Sequence, residues 1–583
     1  MFDSLVTTLR NFFHRALQVA YPEATLPLLE VTRSTQEGFG HYQFNSAMKL
    51  AASLKIAPRK IAEEIVKAAT TLKEPSIARL EVAGPGFINV WFAPDFLAAM
   101  VQKSLQEKNL GIQAAKKERI VVDFSSPNTA KEMHVGHLRT TIIGDSIARV
   151  FEFLGHDVLR LNHIGDFGTS FGMLIAYMKE HTQYAFDHVD EISLSDLVTF
   201  YKQSKVAFDA DPEFKKRAQL QVVALQSGDL ETVKIWKVIC EISRRAYQEI
   251  YDLLDIKIIE RGESFYNFLL PFIVTEFEKK GLVTVSEGAK CIFIENAAFV
   301  NRDGEKLPLM IQKSDGGYNY DTTDLAAMYH RITEEKAERI IIVTDAGQAT
   351  HFQLVYEATI LAGYLDKSKV RFDHVPVGMV LGADGKKFRT RSGETEKLID
   401  LLTTAVSRAE GILKERNPDW NEKERQKVAQ ALGIGAVKYA DLSTNRTSDY
   451  TFSYERMLRF EGNTVAFVMY AYVRSLSIKR KINADMESLL TKEKITLTEP
   501  AEIALALHLD RFPEMIEQIV EELLPNRLTD YLYELAEKFN LFFRDCRVEG
   551  DPAQNSRLLL IEACGRTFEK GFDLLGIQCV ERM

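Results

Sequence analysis

Cysteine is scarce in this chain of 583 residues: five are present, scattered, with no Cys-x-x-Cys pair. A disulfide framework and a cysteine-based zinc site are therefore not expected, and the cysteines are interpreted as reduced core residues of a cytoplasmic protein. No apolar run approaches the ~20 residues of a membrane-spanning helix, so no membrane partner is expected. The amphipathic helix predicted at the N-terminus also lacks the continuous apolar segment of a secretory signal.

An excess of positive charge is missing as well. Lys and Arg number 73 against 82 Asp and Glu, which gives a net charge of −9. This balance argues against a protein that coats DNA, so no DNA partner is expected, and any RNA must meet local basic patches. Hydrophobic residues make up 46% of the chain and charged residues 27%, as in ordinary globular proteins. The length favours about three to five domains.

Strand and helix patterns alternate in the centre of the chain. β-Branched runs are followed by amphipathic stretches at helical spacing, which is typical of a parallel, doubly wound sheet of the Rossmann-like type. A charged, helix-rich stretch interrupts the pattern, and the chain is predicted to be helical from about residue 463 onward. The predicted strands are 119–124, 157–162, 339–343 and 375–379, and the predicted helices are 135–154, one from about 168, 322–333 and 348–363.

The predicted fold class is therefore multidomain α/β. A helical insertion splits the doubly wound parallel-sheet catalytic domain, an α+β domain precedes it, and an all-α domain follows it. The ligand cleft of such a sheet lies at the carboxyl ends of its strands. The predicted limits are 1–112 for the α+β domain, 113–180 and 301–400 for the two halves of the sheet domain, 181–300 for the insertion, 401–462 for a helical stem and 463–583 for the all-α domain.

The most informative segment is His134-Val135-Gly136-His137, which lies where the first predicted strand of the sheet turns into a helix. Helix N-termini attract phosphate through free N–H groups and the macrodipole. Gly136 has no Cβ to keep a nucleotide away from the main chain, and the two imidazoles are placed to hydrogen-bond a phosphate. The segment therefore predicts an ATP site.

Two other interpretations of these histidines stay open at this point. One is a helix cap followed by a satisfied core histidine. The other is a pair of metal ligands, because residues i and i+3 are neighbours on a helix. No cysteine or acidic residue lies nearby at metal-site spacing, so no protein metal site is predicted.

The string from Ser125 to Asp145, Ser-Ser-Pro-Asn-x-Ala-Lys-x-x-His-x-Gly-His-Leu-Arg-x-Thr-Ile-Ile-Gly-Asp, resembles the signature of class I aminoacyl-tRNA synthetases in their arginyl form. Further resemblances to the same family follow in the right order and reach the end of the sequence. They are 316–326, which is similar to the amino-acid pocket, the strand-to-helix turn 345–352, the passage 439–446 and 460–464 into an anticodon-binding domain, and 574–583.

The resemblance implies ATP-dependent attachment of L-arginine to tRNA(Arg) through an arginyl-adenylate, with Mg²⁺ bound to the ATP. The arginine side chain is a planar cation with five N–H donors, of which a carboxylate can take two in a fork and a phenol another. By resemblance, Asp324 and Tyr320 do this. Taken alone, Asp324 could instead be a helix cap. The resemblance assigns arginine binding to Asp123, Ser125, Asn128, Tyr320, Asp324 and Gln348, ATP binding to Pro127, Lys131, His134, Gly136, His137, Met379, Lys386 and Lys387, and catalysis to His134, Gly136, His137, Lys386, Lys387 and Arg389.

The second ATP motif of the class, usually Lys-Met-Ser-Lys-Ser, departs from its standard form. The corresponding stretch, 382–393, is rich in glycine and cations, and Lys386, Lys387 and Arg389 are expected to share the stabilisation of pyrophosphate. The alternative is a solvated basic loop. Many arginyl-type synthetases resemble this degenerate version, so the departure does not by itself indicate an inactive enzyme.

The RNA contacts are harder to predict. Residues 463–583, the expected anticodon-binding domain, contain 15 Lys and Arg against 20 Asp and Glu. Their clearest basic cluster is Arg474, Lys479, Arg480 and Lys481, beside Tyr470 and Tyr472, and cations with exposed aromatics suit unstacked bases. A solvated helix face over a tyrosine-containing core is an equal alternative.

By analogy, residues 1–112 resemble the extra domain that arginyl enzymes place on the tRNA elbow. A monomer whose amino-acid activation needs bound tRNA is expected. The remaining alternatives are a synthetase of the same fold for another amino acid and a non-catalytic tRNA-binding relative.

Overall fold

The computed structural model describes residues 4–24, 29–34, 36–114, 116–181, 192–296, 298–301, 304–382, 384–386, 388 and 396–583. The N-terminal unit is an antiparallel sheet of order β1-β2-β4-β3 with helices packed on it, which is the predicted α+β arrangement. Its elements are α1 (Leu5–Ala20), β1 (Val31–Arg33), β2 (Tyr42–Phe44), α2 (Ala47–Leu54), α3 (Pro58–Thr71), β3 (Ile77–Ala83), β4 (Phe87–Phe92) and α4 (Pro94–Gln106).

The central sheet has five parallel strands in the order β12-β11-β5-β6-β7, so the predicted doubly wound architecture is confirmed. The inner strands β5 and β11 contain continuous apolar runs, as expected for strands covered by helices on both faces. The elements of the sheet and its crossovers are β5 (Arg119–Asp123), α5 (Val135–Phe153), β6 (Asp157–Asn162), α6 (Thr169–His181), β7 (Ile259–Glu260), α11 (Tyr320–Thr333), β11 (Arg339–Asp345), α12 (Ala349–Leu361) and β12 (Arg371–Val377).

The stretch predicted as a helical insertion contains more strand than expected. Three long helices are present, α7 (Leu194–Ala210), α8 (Pro212–Ser227) and α9 (Leu230–Leu253). The chain then contributes β7 to the central sheet, passes through α10 (Leu270–Lys279) and forms an antiparallel sheet of order β10-β9-β8. These strands are β8 (Thr284–Ser286), β9 (Ala289–Phe293) and β10 (Pro308–Gln312).

The C-terminal part is helical, as predicted, and a short parallel pair of strands, β13 (Val380–Leu381) and β14 (Tyr450–Thr451), brackets its first two helices. No helix among the described residues is both long and apolar enough to cross a membrane. All five cysteines are free, and four of them are buried. The helices are α13 (Leu398–Arg416), α14 (Glu422–Leu442), α15 (Tyr454–Met457), α16 (Val465–Ile482), α17 (Met486–Lys492), α18 (Pro500–Leu509), α19 (Phe512–Glu522), α20 (Asn526–Asp545) and α21 (Gln554–Leu574).

The C-terminal segment packs against helix α5 of the central sheet domain. The hydroxyl of Ser146 donates to the carbonyl oxygen of Leu574 at 2.9 Å. The buried ammonium of Lys438 donates to the carbonyl oxygen of Gly576 at 2.6 Å and to that of Leu254. Burial lowers the pKa of Lys438 to about 8. The contact of Ser146 therefore joins the C-terminal segment to helix α5, and Lys438 contacts the same segment.

A buried ion pair joins the same helix to the stem. The guanidinium of Arg139 on α5 lies 3.1 Å from the carboxylate of Asp441 on α14, and their side chains are 1% and 0% exposed. Arg139 also donates to the carbonyl oxygen of Ser448 at 2.8 Å. Two charges removed from water in this way stabilise the fold only as a pair.

Replacing Asp441 with Asn should destabilise the protein strongly, because the Arg139 charge stays buried without its counter-ion. The expected loss is about 3–5 kcal/mol of unfolding free energy, measured as a lower midpoint in urea denaturation. The matched control is Glu549→Gln, which breaks the exposed Lys481–Glu549 pair and should leave the midpoint nearly unchanged. Equal midpoints for the two variants would contradict the importance of the buried pair.

Candidate active site

A cavity of about 720 Å³ opens at the carboxyl edge of the central sheet. Residues from the ends of β5, β11 and β12 and from the first turns of α5, α11 and α12 line it, as expected for a doubly wound sheet. Ten of the residues predicted from sequence share this cavity: Asp123, Ser125, Asn128, His134, Gly136, His137, Tyr320, Asp324, Gln348 and Met379.

The two histidines form the cap of helix α5 and face the cavity. The main-chain N–H of Gly136 donates to Nδ1 of His134, and that of His134 donates to Nδ1 of His137, each at 3.1 Å. Because Nδ1 accepts in both rings, the proton of each neutral imidazole lies on Nε2. Burial and the neighbouring His134 lower the pKa of His137 to about 3, so this ring is a neutral donor. The cap interpretation is thus correct, and it is compatible with phosphate binding.

The loop between β5 and α5 is conformationally constrained. Ser125, Ser126 and Ala130 have positive φ angles of 76°, 50° and 62°, which are uncommon for residues other than glycine. The hydroxyl of Ser125 is buried, 2.8 Å from the hydroxyl of Tyr251. The side chain of Asn128 packs against Gly165, where a Cβ would lie 2.2 Å from Oδ1 of Asn128.

Asp123, at the end of β5, is paired with a cation from within the protein. Its Oδ2 lies 2.5 Å from a guanidinium nitrogen of Arg331, and both side chains are buried. Its Oδ1 accepts a hydrogen bond from the main-chain N–H of His163 at 3.3 Å. Arg331, which the sequence does not predict as a site residue, neutralises the charge of Asp123.

Asp324 lies in the cavity wall and does not cap a helix, because the N-cap of α11 is Asn319. Its Oδ2 lies 2.6 Å from Nε2 of His351, and its Oδ1 lies 3.5 Å from Nε2 of His163. Burial alone would raise the pKa of Asp324, but the bond from His351 and the nearby charges lower it. Asp324 is therefore an ionised carboxylate in a recess of the cavity.

Glu263 is a second carboxyl group in this recess, and the sequence does not predict it as a site residue. Burial, followed by the charges of Asp324 and Asp166, raises its pKa to about 8. Such a group gives up its proton readily when a cation arrives beside it. The only sequence signal was its position just after β7, a strand of two residues that is too short to predict.

Three predicted substrate contacts lie at the rim of the cavity. Tyr320 is 58% exposed, and its ring centroid lies 5.0 Å from that of His351. Gln348 is exposed in the first turn before α12, and Met379 follows β12. The phenol, the amide and the thioether are thus accessible to a ligand that enters from solvent.

Among the described residues, the predicted ATP residues Pro127, Lys131 and Lys386 do not line this cavity. The carbonyl of Pro127 accepts from the N–H of Gly165 at 3.1 Å, and the Lys131 ammonium lies 5.5 Å above the ring of Tyr201. Lys386 is exposed in a turn that follows β13. Lys387 and Arg389 lie outside the described residues.

The basic cluster predicted to contact tRNA is largely engaged within the protein. Lys479 and Lys481 are paired with Glu562 and Glu549, each at 2.6 Å. Arg480 donates to the carbonyl oxygen of Glu581 at 2.9 Å. The guanidinium of Arg474 lies 4.8 Å from the ring centroid of Tyr470, whereas Tyr472 is buried, contrary to its expected exposure.

Comparison with known proteins covers the whole chain. Residues 100–454 match the family of class I tRNA synthetases (R), catalytic domain. Residues 468–583 match the DALR anticodon binding domain, and residues 7–92 match the arginyl tRNA synthetase N terminal domain.

Among the described residues, no group of three or more His, Cys, Asp or Glu could hold a metal ion.

Full-length relatives carry one name. The arginine–tRNA ligase of Protochlamydia amoebophila is 59% identical and that of Chlamydia felis 52%, each with complete coverage of both chains. Arginyl-tRNA synthetase from Plasmodium falciparum superposes with a TM-score of 0.88 at 33% identity over 100% of both chains. That from Thermus thermophilus gives 0.79 at 25% identity over 99% of this chain and 100% of its own. The chain therefore belongs to the class I arginyl-tRNA synthetase family and is an enzyme that uses ATP to attach arginine to tRNA in protein synthesis.

Proposed function

We propose that the cavity at the carboxyl edge of the central sheet is where arginine is activated, with the guanidinium in the Asp324 recess and ATP at the start of helix α5. The observation that carries this assignment is the ionised Asp324. It lies in the same cavity as the two histidines that cap helix α5. An anionic recess suits a cationic side chain, and a helix N-terminus suits phosphate.

In this arrangement the Asp324 carboxylate accepts hydrogen bonds from N–H groups of the guanidinium. The phenol oxygen of Tyr320 accepts another at the rim of the cavity. Glu263 adds a third oxygen ligand and becomes ionised when the cation binds, because its proton is held only by burial and nearby negative charge. The α-amino end meets Asn128, Gln348 and Asp123. Ser125 supports the loop through its buried hydroxyl.

ATP then lies along the first turn of α5. The Nε2–H groups of His134 and His137 donate to the phosphates, and Gly136 permits close approach of the main chain. Pro127, Lys131 and Met379 border the nucleotide. Mg²⁺ is carried by the phosphates, and Lys386, Lys387 and Arg389 provide the positive charge that stabilises the departing pyrophosphate.

The reaction needs no protein nucleophile. An oxygen of the arginine carboxylate attacks the α-phosphorus in line, the bond to pyrophosphate breaks, and arginyl-adenylate forms. A terminal ribose hydroxyl of the tRNA, the 2′ one, then attacks the arginyl carbonyl and releases AMP. The residues contribute positioning and electrostatic stabilisation.

The tRNA(Arg) contacts are proposed to involve the N-terminal unit and the basic cluster on α16, comprising Arg474, Lys479, Arg480 and Lys481. RNA would have to compete with their present partners, so their contribution should depend strongly on salt. We further propose a cytoplasmic monomer with no role on DNA or membranes. The free cysteines suit a reducing compartment.

Pyrophosphate exchange with each amino acid, with and without tRNA, tests the proposed chemistry. Exchange should depend on arginine and should require tRNA(Arg), as the family resemblance implies. Exchange with another amino acid at a comparable rate would contradict the assignment of the recess. Strong exchange without tRNA would contradict only the tRNA requirement.

Replacing His137 with Ala should lower the exchange rate constant by about 10²–10³, which is the usual cost of removing a preorganised donor. His137→Gln should retain a larger share of the rate, because the Gln amide nitrogen can donate near the position of Nε2. Single-turnover measurements at saturating ATP separate chemistry from binding. A near-normal rate in the Ala variant would remove His137 from the catalytic groups.

Gly165→Ala should disturb arginine binding by displacing the side chain of Asn128. The added Cβ would overlap Oδ1 of Asn128, so the amide must turn away, and we expect KM for arginine to rise roughly 10- to 100-fold. The control is Gly411→Ala on α13, where a Cβ meets nothing within 4 Å and should raise stability slightly. An unchanged KM in the Gly165 variant would exclude a role of Asn128 in holding arginine.

A further inference from the structure

His351, in the first turn of helix α12, lies between two carboxylates of helix α11. Its Nε2 is 2.6 Å from Oδ2 of Asp324, and its Nδ1 is 3.2 Å from Oδ1 of Asp321. A carboxylate oxygen can only accept, so both ring nitrogens must carry protons to satisfy this arrangement. Burial alone would lower the pKa of His351, but the bonds to Asp321 and Asp324 raise it to about 9. The ring is therefore a cation at neutral pH.

The groups around the ring come from four parts of the fold. The ring of Tyr320 and that of Phe352 are in edge contact with His351. His374 on β12 faces the ring from the sheet, and burial, the charge of Arg446 and that of His351 lower its pKa to about 4, so it is neutral. His163, from the loop after β6, flanks the other oxygen of Asp324.

The second carboxylate, Asp321, is itself fixed. Its Oδ2 accepts a hydrogen bond from the main-chain N–H of Met310 at 2.9 Å, on strand β10. A continuous chain of bonds thus runs from β10 through Asp321 and His351 to Asp324. His351, which lies outside the helix of Asp324, therefore holds the Asp324 carboxylate in place. The arrangement is rigid because each member of the chain has two partners.

We propose that His351 is a positioning residue for arginine recognition, which fixes the Asp324 carboxylate in the orientation that receives the guanidinium. The proposal rests on the proposed role of Asp324 as the guanidinium ligand. An ionised carboxylate offers about four acceptor positions. His351 takes one position on Oδ2, His163 flanks Oδ1 at 3.5 Å, and the remaining positions can receive N–H groups of the substrate.

The charges around His351 favour a fixed positioning role for this residue, as opposed to a counter-ion that the substrate displaces. Asp321 and Asp324 together carry two negative charges, and the His351 imidazolium carries one positive charge. The three groups sum to −1 while Glu263 is still protonated, so the recess already attracts a guanidinium before Glu263 ionises. Because Asp321 compensates the imidazolium as well, arginine does not need to expel it.

The test is a double-mutant cycle on direct binding of labelled L-arginine, measured by equilibrium dialysis of the full-length enzyme. We expect His351→Ala to weaken arginine binding about 10- to 100-fold, the usual effect of losing a charge-assisted hydrogen bond. His351→Gln should recover part of the affinity, because its amide can donate to Asp324. In the Asp324→Asn background, His351→Ala should cause little further loss.

Equilibrium dialysis of ATP provides the control, because a positioning role confined to Asp324 leaves the affinity for ATP unchanged. Tighter arginine binding in His351→Ala would identify a displaceable counter-ion and overturn the proposal. Independent losses in the double variant, or equal losses for arginine and ATP, would also overturn it. Unchanged arginine affinity in Asp324→Asn would instead reject the proposed function of Asp324, which is a separate result.

Discussion

The active site depends on the close contact between helix α5 and strand β5. At Gly144 a Cβ would lie 2.3 Å from the Cβ of Phe124, so only glycine lets the helix approach the strand so closely. That contact places the first turn of α5 at the carboxyl edge of the sheet, where its free N–H groups and two histidines face the cavity. The proposed ATP-binding end of the pocket thus depends on backbone packing.

The opposite end of the cavity is governed by charge balance. Asp123 is neutralised by Arg331, and Asp324 shares the His351 imidazolium with Asp321. Glu263 retains its proton at neutral pH because burial raises its pKa. Since uncompensated buried charge is costly, these pairings let several carboxyl groups remain close together before a cationic substrate arrives.

Sequence patterns predicted the parallel sheet, its crossover helices and ten residues that share the cavity, because these features depend on local periodicity and on motifs at fixed spacing. The missed features depend on long-range contacts. Strand β7 has only two residues and takes its identity from pairing with β6. Asp123 and Arg331 are 208 positions apart. The engagement of Lys479 by Glu562 is likewise a tertiary contact that a basic cluster in the sequence does not reveal.

Helix α5 also has a second partner, the C-terminal segment, through the bond between Ser146 and Leu574. These residues are 428 positions apart in the chain. During synthesis, helix α5 therefore emerges from the ribosome long before the segment that completes its packing. Lys438, whose buried ammonium donates to the carbonyl oxygen of Gly576, also depends on this C-terminal segment. Helix α5 therefore reaches its final packing only after the C-terminal segment, which matches an anticodon-binding domain, has been translated.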